Sequence, residues 1–186
     1  MKKLSCILAL LFIVLQVEAQ LQRKFYGHSF GSSKQSVVQT MKSKGYQVNE
    51  VSNKIWVTYP KVGTINFGGL DWEVIEFDFF QNKLTSVTFC VSTEIYTPSI
   101  IVEKYNQTEE RLINKYQCYI GNRPLTKSGA KCIDFSDDKT GLIFRYLHID
   151  SNGEISLTPT KKIHIYLWYY DKDLMAKKYD NENSEL

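Results

Sequence analysis

The chain has 186 residues, of which 43% are hydrophobic, 23% charged and 13% aromatic, with 23 basic against 20 acidic side chains. That length suits one compact domain or two small ones, and the aromatic and β-branched content excludes a disordered chain. A net charge of +3 is too small to mark nucleic acid or an anionic membrane as a partner, and four cysteines are too few for a disulfide scaffold.

The N-terminus carries an address. Met1-Lys2-Lys3 is basic, Leu4 to Val14 is apolar, and Val17-Glu18-Ala19 has the V-x-A form of a processing site before Gln20. This order predicts a secretory signal peptide over residues 1–19, cleaved after Ala19. The apolar run is shorter than the ~20 residues a membrane-spanning helix needs, and Cys6 sits too early to be lipidated. The expectation is a soluble exported protein, periplasmic or extracellular, with no membrane span. Cleavage leaves Cys90, Cys118 and Cys132, which allow three pairings. Cys118 and Cys132 are nearest in sequence, flank a turn-rich stretch, and form the candidate disulfide. There is no C-x-x-C, and the three cysteines with His28, His148 and His164 show no zinc spacing, so neither metal nor cofactor is expected.

From Gln20 a helix and then a run of strands are predicted twice. Ser32 with Gln35 reads as a capping box opening the first helix. Val37, Val38 and Met41 form its apolar face, and Gly45 ends it. Ile55 to Tyr59, Val62 to Phe67, Trp72 to Phe80 and Leu84 to Val91 read as strands. Ile75, Phe77 and Phe79 alternate with Glu76 and Asp78, as in antiparallel sheet with one wet face. Thr97-Pro98 opens the second helix, whose apolar stripe is Ile101, Tyr105, Leu112 and Tyr116. A loop with Gly121, Pro124 and Gly129 follows, then strands near Lys131–Phe135, Leu142–Ile149, Ile155–Pro159 and Lys162–Tyr170. Turns at Asp137–Gly141 and Asp150–Gly153 separate the first three of these. The expected fold is α+β: tandem helix-then-antiparallel-strands repeats over 20–95 and 96–175, helices packed on one face of the sheet, and a frayed polar tail over 176–186.

Four motifs bear on chemistry. Gly27-His28-Ser29-Phe30-Gly31 matches the G-x-S-x-G nucleophile elbow, but few mature residues precede it and the helix signal comes a turn too late. His148 and Asp150 share one strand face, a spacing usable for acid–base work. Asp150 to Glu154 resembles a calcium loop without its twelve-residue spacing and terminal glutamate, and Asn106-Gln107-Thr108 is a glycosylation sequon placed on a helix. The fifth feature is a surface. On Lys162 to Tyr170 the residues opposite the core are His164, Tyr166, Trp168 and Tyr170, and Trp72 is placed beside Glu76 and Asp78. Aromatic side chains with scattered charge are what protein-binding surfaces favour.

Phe25 to Lys34, Val62 to Gly69, and Phe77 to Val87 with its Asn82-Lys83-Leu84 turn resemble small secreted bacterial proteins of uncharacterised function. The order of elements is similar to the β-lactamase-inhibitor-protein (BLIP-like) fold and to outer-membrane assembly lipoproteins of the SmpA/BamE type. The likeness to the inhibitors implies a concave aromatic sheet face presented to a partner. The chain departs from the lipoproteins in lacking a cysteine at the processing site, and from the inhibitors in lacking a disulfide in its first half. The function expected is a non-enzymatic binding module of the cell envelope, its partner a protein or envelope component, its site Trp72, His164, Tyr166, Trp168 and Tyr170. Two alternatives stand beside it: a small hydrolase using Ser29 or the His148/Asp150 pair, and a carrier of a small apolar ligand between sheet and helices.

Overall fold

The structure is a computed structural model that describes residues 20–59, 65–93, 96–116, 119–124, 130–152, 154–156 and 160–184. Residues 1–19, where the signal peptide and its processing site are expected, and Cys118, with the expected Cys118–Cys132 pairing, lie outside the described residues.

In chain order, β1 (Lys24–Phe25) and β2 (His28–Ser29) form a two-residue hairpin. Helix α1 (Lys34–Ser43) is capped by Ser33, whose Oγ accepts the Ser36 N–H at 3.3 Å. The cap falls one residue beyond Ser32, because the Ser32 N–H already donates to the Ser29 carbonyl and closes the preceding turn. Val37, Val38 and Met41 are buried, and Gly45 takes the left-handed conformation (φ +83°) that ends the helix. Strands β3 (Gln47–Val51) and β4 (Lys54–Thr58) follow, then a separate hairpin of β5 (Ile65–Phe67) and β6 (Leu70–Trp72), then β7 (Val74–Phe80) and β8 (Lys83–Ser92). Helix α2 (Pro98–Lys115) begins with proline at its first turn and buries Ile101, Tyr105, Thr108 and Leu112. Last come β9 (Tyr119–Pro124), β10 (Lys131–Ser136), β11 (Thr140–Ile149), β12 (Lys162–Asp171) and α3 (Lys172–Ser184).

Eight strands form one antiparallel sheet in the order β3-β4-β7-β8-β12-β11-β10-β9. Its centre is the β8–β12 pair, registered from Ser92 opposite His164 to Ser86 opposite Tyr170. One face is the core. Ile55, Val57, Ile75, Phe77, Val87, Phe89, Phe144, Ile165, Leu167 and Tyr169 are buried there with the apolar residues of α1 and α2. Tyr105 of α2 stacks on Phe144 at 4.7 Å, and Phe67 of the β5–β6 hairpin stacks on Phe89 at 4.0 Å.

The expected architecture is overturned. Strands make up 47% of the described residues, and eight of the twelve form one antiparallel sheet; with three helices among the described residues, this is not two tandem helix-then-strands repeats with helices packed on one face. There are three physical reasons. Pairing of β8 with β12 joins strands from before and after residue 95 in one sheet. The N-terminal segment crosses to the far half: Leu21 N–H donates to Asp137 Oδ2 at 2.8 Å, Arg23 pairs with Asp171, and Phe25 packs on Tyr169 at 5.1 Å. Finally, the tail expected to fray is α3, and it lies on the other face of the sheet. Asp171 Oδ1 caps it by accepting the Leu174 N–H at 2.9 Å. Met175 is buried, and the Lys178 ammonium meets the Asp78 carboxylate at 2.6 Å. The stretch from Tyr119 to Pro124, expected as loop, is the edge strand β9, where a terminal proline costs no ladder bond.

Candidate functional site: the uncovered face of the sheet

Strand alternation decides which side chains face away from the core. Along β12, Ile163, Ile165, Leu167 and Tyr169 are buried, and His164, Tyr166, Trp168 and Tyr170 between them are half-buried. Register then assembles rows across the outer face. One row runs Trp56, Glu76, Thr88, Trp168 over β4, β7, β8 and β12. A second runs Thr58, Val74, Cys90, Tyr166, Arg145, Cys132 and crosses to β10. A third runs Lys54, Asp78, Ser86, Tyr170, Gly141.

Two kinds of cover rest on this face. At one end α3 closes over the Trp168 and Tyr170 region, where a cavity of about 240 Å³ is lined by Asp78, Arg145, Trp168, Met175, Lys178 and Tyr179 among others. The Arg145 guanidinium sits 5.8 Å and the Tyr170 ring 4.8 Å from the Trp168 ring. Gly141 is required beneath Tyr170, because a Cβ there would come within 2.0 Å of the ring. At the opposite end Ala130, Leu147 and Ile149 form a small apolar cluster against which Tyr166 packs.

Between these covers the face is open, and a groove of about 820 Å³ runs over β3, β4, β7, β8 and β12. Trp56, Glu73, Glu76, Cys90, His164 and Tyr166 are among its lining. Trp56 is 39% exposed. Its indole N–H donates to Glu76 Oε2 at 2.6 Å, and Lys54 donates to Glu76 Oε1 at 2.8 Å. Burial pulls the Lys54 ammonium down, but the hydrogen bond and charge of Glu76, with Asp78 behind it, outweigh that and hold it above its ordinary value. Glu73 Oε2 accepts the Ser92 hydroxyl at 2.9 Å. Tyr166 O–H and His164 Nδ1 share a hydrogen bond of 2.9 Å. Burial, then Cys90, then the two glutamates hold the Tyr166 hydroxyl far above the ordinary phenol range, so it is a neutral donor at any physiological pH.

The residues expected at the site divide into three groups. His164 and Tyr166 line the groove; Trp168 and Tyr170 share its face but lie at the α3 end. Trp72 does not belong to this face. It is 1% exposed, packs on Phe89 at 5.6 Å, and donates its indole N–H to the Phe67 carbonyl at 3.1 Å. The strand expected over Trp72 to Phe80 breaks at Glu73, and the turn at Gly68-Gly69 folds β6 back on β5, so the alternation of β7 does not extend to Trp72. Trp56 and Glu73 are the groove residues missed by sequence reading, whereas Glu76, expected on the open face, does line the groove. The signal for Trp56 was its place between Ile55 and Val57 in an alternating run.

The alternative sites are not assembled. Ser29 is exposed in the β1–β2 hairpin, and α1 starts five residues later, so no strand-to-helix elbow forms. His148 turns to the core side beside Ile163, and its Nδ1 accepts the Thr160 N–H at 3.1 Å. Asp150 Oδ1 instead accepts the N–H groups of Asn152 and Glu154, at 2.8 and 2.9 Å, within the hairpin turn. Between α2 and the sheet, the voids beside Thr108 hold about 10 and 70 Å³, well below the ~300 Å³ of a small-molecule pocket. Cys132 is buried, and burial followed by the Asp134 charge raises its thiol pKa. Among the described residues no group of three or more His, Cys, Asp or Glu could hold a metal, and no helix is long and apolar enough to cross a membrane.

No protein-family model, no curated protein sequence and no solved structure matches this chain.

Proposed function

We propose that the protein is an exported, non-enzymatic binding module that holds another protein or cell-envelope component in the groove on the uncovered sheet face. The observation that carries this reading is the groove itself. About 820 Å³ of open concavity lies on a rigid sheet floor, with an exposed tryptophan on one side and a tyrosine on the other. A sheet floor suits this role because its side chains are positioned by the register of five paired strands and need little ordering on binding. Trp and Tyr supply large contact area at small entropic cost and are the residue types that dominate binding energy. The serine, histidine and aspartate that hydrolysis would need are spent on a hairpin, the core side and a turn.

The test is a photo-crosslinking amino acid placed at position 56 or at position 113. Trp56 and Ile113 are equally exposed, at 39%, but Ile113 stands on α2, on the other side of the sheet. In envelope extract of the source cells, position 56 should capture a discrete partner that position 113 does not. The same products from both positions, or none from position 56, would overturn the reading.

A further inference from the structure

Resting on that reading of the groove, the balance of charge within it indicates what it holds. Among the described residues its lining contains two carboxylates, Glu73 and Glu76, and neither lysine nor arginine. Glu76 is compensated: both its oxygens are engaged, one by the Trp56 indole N–H and one by Lys54, whose ammonium belongs to the neighbouring depression under α3. Glu73 is not. It accepts a hydrogen bond from neutral Ser92, and among the described residues no cation pairs with it. Its backbone is pinned, its N–H donating to the Cys90 carbonyl at 2.9 Å, so the side chain rises from a fixed point on the groove floor. Both glutamates line the same groove as Tyr166. The groove is therefore locally negative in a chain whose net charge is +3.

An apolar occupant would strip water from Glu73 and leave its charge unmatched, and an acidic one would be repelled. A cation meets the carboxylate directly and gains further from the faces of Trp56 and Tyr166. We infer that the groove recognises a basic side chain, the guanidinium or ammonium of an arginine or lysine, presented by the partner protein between apolar neighbours. Glu73 supplies the counter-charge, and Trp56 and Tyr166 flank the aliphatic stem.

The experiment follows the tryptophan indole N–H signals by two-dimensional NMR while capped peptides are added. The probes are acetyl-Gly-Leu-Arg-Leu-Gly-amide and the same peptide with citrulline, which keeps the shape of arginine and loses its charge. The arginine peptide should shift the Trp56 indole signal saturably and leave the core Trp72 signal in place, and the citrulline peptide should bind about tenfold or more weakly. In Glu73→Gln, which keeps an oxygen for Ser92, that preference should vanish while the Trp72 signal reports an intact fold. Equal binding of the two peptides, a preference that survives in Glu73→Gln, or no saturable shift at millimolar arginine peptide would each overturn the inference. All three leave the crosslinking result at position 56 standing, so the failure of the charge preference is distinct from failure of the groove as a binding site.

Discussion

Trp56 and Trp168 stand in one cross-strand row on one face of one sheet, three strands apart, or about 14 Å by strand spacing. Alternation treats them identically, yet their surroundings differ. Trp56 has its indole N–H tied to Glu76 and its ring at the mouth of an open groove. Trp168 has Arg145 and Tyr170 as neighbours and lines a cavity that α3 closes with Met175, Lys178 and Tyr179. The difference comes from long-range cover. A strand's period decides which way a side chain points, and only the return path of the chain decides what then lies over it. An aromatic that is covered contributes mainly to packing, and one left open is available to a partner.

The largest expected effect sets the scale for this comparison. Trp72, the third tryptophan, is core, and Trp72→Ala should destabilise by about 3–5 kcal/mol in chemical denaturation. A loss below about 1 kcal/mol would show that the β5–β6 hairpin does not seal the core. Next comes the cover itself. Lys178→Met removes the cation facing Asp78, whose side chain is 10% exposed, and leaves a carboxylate with little water around it. The expected cost is about 1–3 kcal/mol, below that of a fully buried pair because Lys178 keeps 17% of its side chain exposed. Hydrogen exchange should accelerate in α3, and acrylamide should quench Trp168 more readily while quenching of Trp56 stays unchanged. If both indoles become more accessible, the two ends of the face are not independent.

Much of this is legible from residue order, and the exceptions share a cause. The inward set of β12, the buried stripe of α2 and the turn at Asp137 follow from local rules. The Asp137 carboxylate accepts the Lys139 and Thr140 N–H groups, as such a turn requires. Helix α3 was not legible, because its apolar content is slight: it buries one methionine and is anchored by an ion pair between residues 100 positions apart. Trp72 was misplaced because the strand that alternation assumed to be continuous breaks at Glu73, which leaves Trp72 in the β5–β6 hairpin. Strand β9 was hidden because Gly121 and Pro124 are loop residues by composition, and only an edge position accommodates them. Trp56 and Glu73 were overlooked for a related reason. Their importance depends on which strands become neighbours and on where the cover stops, and neither is encoded within a window of ten residues.

The most direct measurement is the affinity of the partner captured from position 56 for two truncations on that one row. Trp56→Ala should leave stability unchanged within about 0.5 kcal/mol, yet weaken binding by about 2 kcal/mol or more, near thirtyfold. Trp168→Ala, beneath α3, should cost stability and leave the affinity of the folded protein nearly unchanged. An unaltered affinity in Trp56→Ala, or a loss confined to Trp168→Ala, would contradict the assignment of the groove as the binding site.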